Sequence, residues 1–222
     1  MRSPSHKPSN PRGIRHHDSA QTRAAILEAA GRIFAEAGLA GARTDAIAAA
    51  AGVNKALLYY YFRSKDGLYQ AVLEEHLRDF HQQALEVLSS RGSARSTLLG
   101  YVGMHFDFIS ARPYYPRLFQ RMAMAGGKGL ERLAQEHFVP LAKKLVKLIE
   151  RGVRVGELRP LDSAHTAISL VALTVFYFSA APAVRVVSGM DPFKKENLAR
   201  RKAEVLKFIR YALFRKPEAA VL

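Results

Sequence analysis

Apolar residues recur along most of the chain at the three- and four-residue spacing of helices, without the alternation of β-strands. Ser64 is a candidate helix cap, and the stripe of Leu68, Val72 and Phe80 that follows it predicts a long helix ending near Leu88. Five further helices are predicted over residues 96–111, 113–125, 128–153, 163–181 and 192–214. Breaks containing Gly and Pro separate them. With three shorter helices before Ser64, the pattern predicts an all-α fold of about nine helices.

Two of the shorter helices are predicted within residues 44–62, on either side of Gly52. Thr44 is expected to cap the first by accepting a hydrogen bond from a free backbone N–H, and Gly52 can adopt the positive φ that ends it. In the second helix, Leu58 and Phe62 lie four residues apart and share an inward face. The outward face then carries Lys55, Ala56, Tyr59 and Tyr60. This arrangement predicts a helix-turn-helix.

The outward face of the second short helix suits the major groove of DNA. A Tyr hydroxyl can bond a phosphate oxygen, a Lys can reach a phosphate or a guanine edge, and a small apolar side chain can contact a thymine methyl. The alternative is that the two helices are only a packed pair inside a helical core. Because capping, glycine turn, exposed aromatic face and basic flanks coincide, the pattern favours DNA binding.

Composition narrows the function classes. The 222 residues are 49% hydrophobic and 24% charged, which excludes disorder throughout. The net charge of +15 favours polyanionic partners, although it is shared between residues up to Lys65 (net +6) and the remainder (net +9). Cysteine is absent, so disulfides, zinc-thiolate sites and thiol nucleophiles are excluded. A reducing cytoplasm fits this composition.

Motifs for catalysis are missing from the sequence. The histidines lack metal-binding spacings, and neither a glycine-rich phosphate loop nor a nucleophile elbow occurs. We therefore predict no catalytic residue, no metal site and no cofactor, and we do not expect an enzyme.

Two segments leave alternatives open. Residues 1–20 are basic and rich in Pro and Ser, which predicts a disordered arm that either enters a minor groove or is only a solvated tail. Residues 166–184 carry no charge and are long enough to cross a bilayer. Their Ala, Ser and Thr content instead favours a helix buried against the protein body or a partner subunit. The final predicted helix is amphipathic and basic, so binding to anionic lipid is a lesser option.

The segment from Thr22 to about Val72 resembles the TetR family of bacterial transcriptional regulators. The resemblance rests on the amphipathic first helix, on the segment 44–51, on Gly-Val-Asn-Lys-Ala-Leu-Leu-Tyr-Tyr-Tyr-Phe at 52–62, and on Ser-Lys-Asp-Gly-Leu at 64–68. It implies that the third helix reads DNA. The contacts that it implies are base contacts by Lys55, Ala56 and Leu57, groove or backbone contacts by Tyr59, Tyr60 and Tyr61, and phosphate contacts by Thr44 and Lys65. Leu57 stands where family members often carry a small or polar residue, and Tyr61 stands where they often carry His. The base preference of other family members therefore does not transfer to this chain.

The resemblance also implies an organisation. Residues 1–20 would be the arm, 21–66 the helix-turn-helix domain, and 67–222 a ligand-binding and dimerisation domain. Two copies would pair through their last two helices, and reading helices about 34–36 Å apart would require an inverted-repeat operator. The function expected is a ligand-relieved repressor in the cytoplasm, associated with the nucleoid. The alternative is a basic helical module for protein interaction or a membrane surface, without sequence-specific DNA binding.

The second domain is rich in aromatic and Met side chains, which suggests a small hydrophobic or aromatic effector. Tyr101, His105 and Phe108 follow the spacing i, i+4, i+7 and could line one wall of a pocket. The alternative for each such residue is a place in the ordinary core. The candidate effector residues are Tyr101, His105, Phe108, Tyr115, Phe119, Met122, Phe138 and Tyr177.

Overall fold

A computed structural model of the protein describes residues 14–215, without the side chains at positions 14–18 and 128. Over this range the chain forms eleven α-helices, a π-helical turn and one isolated antiparallel bridge, between Leu158 and Phe214. The predicted all-α class is confirmed. The elements are α1 (Ile14–Gly41), α2 (Thr44–Ala50), α3 (Lys55–Phe62), α4 (Lys65–Leu88), α5 (Ala94–Ser110), α6 (Tyr115–Ala125), α7 (Gly127–Leu133), the π-helical turn (Ala134–Phe138), α8 (Val139–Arg154), α9 (Ser163–Ser179), α10 (Ala181–Ser188) and α11 (Lys195–Leu213).

The helix count exceeds the prediction because one predicted helix divides and one further helix was not predicted. The single helix predicted over 128–153 is α7, the π-helical turn and α8. Pro140 lies in the first turn of α8 and has no N–H to give to a carbonyl four residues earlier, so the regular α-helical ladder is interrupted there. Pro182 likewise lies in the first turn of α10, which begins directly after α9 and was not predicted.

The first helix begins earlier than its predicted start at Thr22. It extends back to Ile14, into the arm predicted to be disordered, because adding residues to an existing helix is far easier than nucleating one. Residues 1–13 of that arm lie outside the described range. At the predicted end, Gly38 has φ 70° and ψ 175°, which kinks the helix and leaves a last short turn to Gly41.

The chain divides into two compact units, and the boundary lies within α4, between Val72 and Leu73. In the first unit, hereafter the head, α1, α2, α3 and the start of α4 enclose a small core. Its fully buried side chains include Ile26, Phe34, Ile47, Leu58 and Leu68. The rings of Phe34 and Tyr69 meet edge to face at 5.0 Å, a favourable aromatic geometry.

The second unit, hereafter the body, is built around α5. This helix packs against α8, α9 and α11, and ten of its residues are buried. Phe106 of α5 meets Phe178 of α9 with ring centroids 5.0 Å apart, and both side chains are almost fully buried. Burying these large rings supplies much of the hydrophobic free energy that holds α9 on α5.

The uncharged segment 166–184 is bent. Within the described range, no single helix is both long enough and apolar enough to span a bilayer, although α9 and α10 reach that length and composition together. The two helices meet at an angle of 75°. Along α9, Leu170, Thr174 and Phe178 are buried while Ile168 and Phe176 are exposed. Its inward face therefore belongs to the core of the body.

Candidate nucleic-acid interface and effector site

The turn between α2 and α3 is formed by Gly52, as predicted. Its φ is +67°, and its N–H donates to the carbonyl of Ala49 at 3.1 Å, while the N–H of Val53 donates to the carbonyl of Ala48 at 3.0 Å. These two bonds satisfy carbonyls that the end of α2 would leave unpaired. A positive φ at this position favours Gly, because the Cβ of any other residue would crowd the following carbonyl oxygen.

The prediction that Thr44 caps α2 is wrong. Arg43 occupies the cap position with extended backbone (φ −99°, ψ 127°) and makes no side-chain cap bond, so Thr44 is already the first helical residue. The side-chain cap lies one helix later. The Oδ1 of Asn54 accepts a hydrogen bond from the Leu57 N–H at 2.8 Å and fixes the start of α3. Sequence reasoning missed this role, although Asn is among the preferred cap residues.

The two faces of α3 differ sharply in exposure. Leu58 and Phe62 are buried, whereas Tyr60 is 78% and Tyr59 41% exposed. The remaining outward positions are Lys55 and Ala56, which are exposed, and Leu57, which is half-buried. The apolar pair at i and i+4 therefore anchors the helix, and the aromatic and basic side chains point away from the core of the head.

Lys55 is held by an ion pair within the head. Its Nζ lies 2.9 Å from Oδ1 of Asp45 on α2, and about half of each side chain is exposed. The hydrogen bond and the charge of Asp45 raise the pKa of Lys55, and the same partner lowers the pKa of Asp45. The pair directs the ammonium group across the gap between the two short helices.

Two of the expected DNA contacts bind the protein itself. The hydroxyl of Tyr61 donates to the Oγ of Ser19 at 3.1 Å, which joins α3 to the first turns of α1. The Nζ of Lys65 donates to the carbonyls of Ala40 and Ala42 at 3.2 Å each, at the end of α1. An ammonium group has three donors, so Lys65 retains one N–H beyond these bonds.

The junction between α3 and α4 is tight. Arg63 has φ 62°, the one positive φ of a residue other than glycine between positions 14 and 215. Ser64 caps α4 as predicted, because its Oγ accepts from the Gly67 N–H at 2.9 Å. A Cβ on Gly67 would collide with the carbonyl oxygen of Phe62. This close approach fixes the outward helix α3 on α4.

Six of the candidate effector residues gather in one part of the body. Tyr101 and His105 on α5 have ring centroids 5.9 Å apart, as do Phe108 and Tyr115, and Phe80 of α4 lies 5.0 Å from His105. The contacts continue from Tyr115 to Phe119 at 6.5 Å and from Phe119 to Phe138 at 5.0 Å. We call these six side chains, with Phe80, the aromatic cluster. Met122 is buried on α6, the helix that also carries Tyr115 and Phe119.

His105 is the polar centre of the aromatic cluster. The hydroxyl of Thr174 on α9 donates to the Val171 carbonyl at 2.8 Å, so its oxygen is left to accept from the Nδ1–H of His105 at 2.9 Å. Burial lowers the pKa of His105 to about 4 and raises that of Tyr101 to about 12. The imidazole is therefore neutral at neutral pH.

Tyr177 lies apart from the aromatic cluster. Its neighbour Phe178 faces Phe106 of α5, and successive helical residues are rotated by about 100°, so Tyr177 turns towards α11 instead. Its hydroxyl donates to the Pro192 carbonyl at 3.1 Å, and the guanidinium of Arg201 lies 5.3 Å from its ring centroid. The eight candidate effector residues therefore do not form one site.

A charged cluster in the body escaped the sequence analysis. Nε2 of His137 lies 3.1 Å from Oε1 of Glu74, and Glu136 lies beside them, so the three could in principle share a cation. Arg132 already bonds Glu74 at 3.2 Å and Glu136 at 2.8 Å. Because the Arg132 guanidinium bonds both carboxylates and Arg78 lies 4.0 Å from Glu74, these residues form an ion-pair network. No sequence spacing indicates it, because Glu74 is far from the others along the chain.

Two family models match the chain. Residues 26–72 match the model of the bacterial regulatory proteins of the tetR family, and residues 95–209 match the tetracyclin repressor-like C-terminal domain. The first match covers the helix-turn-helix, and the second covers most of the body.

Individual relatives are similar over most of their length. The HTH-type transcriptional regulator RutR of Escherichia coli (strain K12) is 32% identical over 177 residues, which cover 80% of this chain and 83% of RutR. The HTH-type transcriptional repressor NicS of Pseudomonas putida is 24% identical, with 89% and 92% of the two chains covered. Among solved structures, the ketosteroid transcriptional regulator KstR2 of Mycobacterium tuberculosis has a TM-score of 0.69 at 20% identity, covering 87% and 95%.

Proposed function

Because the chain belongs to the TetR family of bacterial transcriptional regulators, we propose that it is a repressor whose α3 reads operator DNA. The observation that carries this proposal is the outward face of α3, where Tyr60 is 78% exposed above the buried anchor Leu58. A large aromatic side chain that is exposed to solvent on a short, capped helix favours contact with a partner molecule. The high positive charge adds a salt-dependent attraction to phosphates.

The contacts differ in kind. Lys55 and Ala56 at the start of α3 approach the base edges, and Tyr59 and Tyr60 contact the groove or the backbone. Tyr61 braces α3 against α1 through Ser19 and contributes by position rather than by touching DNA. The remaining N–H of Lys65 is available to a phosphate. Thr44 lies in the first turn of α2. Its hydroxyl and the free backbone N–H groups of that turn face a phosphate of the DNA backbone.

The repressor acts as a homodimer, as TetR-family regulators do on DNA. The surface for pairing is formed by α9 and α11, where Ile168, Phe176, Phe208 and Tyr211 are 51–66% exposed. Residues 168 and 176 lie eight apart on one face of α9, and burial of such side chains by a second copy is favourable. A twofold pair requires an inverted-repeat operator with half-sites about 34–36 Å apart.

Relief of repression comes from a small effector bound at the aromatic cluster of the body. Structures of this family include complexes of AibR with isovaleryl coenzyme A and of FadR from Bacillus subtilis with stearoyl-CoA. In this chain the cluster adjoins α4 through Phe80, and α4 continues into the head. An effector that prefers another position of α4 weakens DNA binding by its differential affinity for the two states. The protein works in the cytoplasm, at the nucleoid.

DNA titration tests the reading helix. An operator is first selected from a random duplex pool, and its affinity is then measured at two salt concentrations for Lys55→Gln and Tyr60→Phe. We expect Lys55→Gln to bind at least about tenfold more weakly and to lower the salt slope by about one. Tyr60→Phe, which loses only the hydroxyl, should bind a few-fold more weakly.

The control is Lys147→Gln, which removes one charge from an exposed position on α8. It should leave operator affinity nearly unchanged. If the head variants and Lys147→Gln weaken binding equally, or if the pool yields no preferred sequence, then the chain is a basic interaction module and the proposed repressor function is refuted.

A further inference from the structure

A cleft with a volume of about 420 Å³ opens on the body where α9, α10 and α11 meet. Its apolar lining comes from Phe176, Val184 and Met190, and Tyr177 lines it as well. The bond from the Tyr177 hydroxyl to the Pro192 carbonyl holds the tyrosine ring in place. The volume lies within the range of about 300–1,000 Å³ that small-molecule sites occupy. This cleft is separate from the aromatic cluster.

The polar edge of the cleft comes from α11 and is mainly cationic. It presents Asn197, Arg200, Arg201 and Glu204. Within residues 14–215, neither arginine pairs with a carboxylate, whereas Glu204 lies 4.0 Å from the Nζ of Lys207. The edge therefore offers several hydrogen-bond donors and an excess of positive charge to anything that enters the cleft.

Arg201 is already positioned for a ligand. Its guanidinium lies 5.3 Å from the Tyr177 ring centroid, and its Nη2 donates to the Leu173 carbonyl at 3.4 Å. Its Nε is buried and has no hydrogen-bond partner in the described part of the chain. Arg201 lines the cleft, and its bond to Leu173 uses one of the five N–H donors of the guanidinium group, so further donors remain for an oxygen that enters the cleft.

We propose that this cleft binds a small organic carboxylate with a flat or branched apolar body. The body lies against Phe176, Val184 and Met190, and the carboxylate accepts hydrogen bonds from the guanidinium groups of Arg201 and Arg200. Hydrogen bonds between two charged groups are stronger than those between neutral groups, and the planar guanidinium group matches the geometry of a carboxylate. The proposal goes beyond the repressor function, which requires only the effector site at the aromatic cluster.

Calorimetric titration of the full chain tests the proposal with three probes. These are 3-phenylpropionate, the uncharged 3-phenylpropanol with the same apolar body, and inorganic phosphate with charge alone. We expect saturable binding of the carboxylate and at least about tenfold weaker binding of the alcohol. Phosphate should show no saturable binding. Equal affinity for acid and alcohol, or for acid and phosphate, overturns the proposal.

Matched variants locate the binding. Arg201→Gln and Arg200→Gln each remove one charge from the cleft edge, and Arg210→Gln removes one from the same helix outside the cleft. The two cleft variants should bind 3-phenylpropionate at least about tenfold more weakly, while Arg210→Gln binds as the parent does. Circular dichroism checks that each variant is folded. Because Arg201 stacks on Tyr177, Arg200→Gln decides the matter if Arg201→Gln unfolds.

The competing occupant is a side chain of a second copy, because Phe176 is also part of the proposed pairing surface. Sedimentation measurements of the same variants separate the two cases. If no probe binds while the cleft variants weaken self-association, the cleft belongs to the dimer and the proposal is overturned. Binding to the DNA operator is not involved in either readout, so failure here leaves the repressor function standing.

Discussion

The turns and caps around α3 in the head and the aromatic cluster in the body differ in how directly local sequence determines their geometry. In the head, Gly52, Asn54 and Ser64 each set one turn or cap through bonds to residues no more than five positions away. In the body, His105 finds its partner Thr174 on another helix, far along the chain. A hydrogen bond within a turn or cap fixes the local backbone conformation by itself, whereas a long-range contact depends on how several helices pack. Mutations in the two units should therefore have separable effects.

The largest losses of stability are expected when one buried ring is removed from the core of the head or of the body. Phe34→Ala in the head and Phe106→Ala in the body each remove a ring that is at most 2% exposed, and should cost about 3–5 kcal/mol of stability. Amide hydrogen exchange should then show faster exchange confined to α1–α3 in the first variant and to α5 and α9 in the second. Equal loss of protection in both units would show that they unfold as one and would remove the contrast.

Acid should weaken the body through His105. Its folded pKa is about 4, below the ordinary value of 6.5, so the unfolded chain takes up the proton first. The stability due to neutral His105 is complete above pH 6.5 and is lost as the pH falls towards 4, by roughly 3 kcal/mol. The free energy of unfolding, measured with urea between pH 7 and pH 4, should fall less steeply with acid in His105→Gln than in the parent protein. An unchanged dependence would mean that another group is responsible.

Two glycines offer a matched comparison of backbone strain. Gly52 in the head and Gly189 in the body each have φ of +67°, and a Cβ at either would meet nothing within 4 Å. Changing either to Ala should cost about 1–2 kcal/mol, since only the backbone conformation is penalised. Operator affinity should fall for Gly52→Ala, because the angle between α2 and α3 changes, and should persist for Gly189→Ala. If both variants bind the operator equally well, the turn does not position the reading helix.

The smallest effect is expected at Asp45. Its ion pair with Lys55 is exposed, so Asp45→Asn should leave thermal unfolding nearly unchanged. Loss of a negative charge beside the reading helix should tighten operator binding a few-fold at low salt, and the difference should shrink as salt rises. Glu131→Gln, an exposed change in the body, serves as the control and should not alter affinity. Weaker binding by Asp45→Asn would instead show that Asp45 aligns Lys55 with a base edge.

The sequence prediction was most accurate where the signals are local. The α3 anchor of Leu58 and Phe62, the Gly52 turn and the Ser64 cap all follow from spacing and residue type, and all are present. The cap assigned to Thr44 failed because its neighbour Arg43 takes the extended conformation, a one-residue shift that spacing cannot resolve. The division of 128–153 was missed although Pro140 marks it.

Sequence by itself determined the helical class, the exposed tyrosines of α3 and the family, because helical periodicity and turn chemistry act within a few residues. Tertiary structure alone decided that Tyr61 and Lys65 bond to α1, that Tyr177 leaves the aromatic cluster for the cleft at Arg201, and that Glu74 joins Arg132 and His137. Those contacts join residues distant in the chain, and their existence depends on the rotation of each helix about its own axis. That rotation is set by packing the whole core at once, which no single segment encodes.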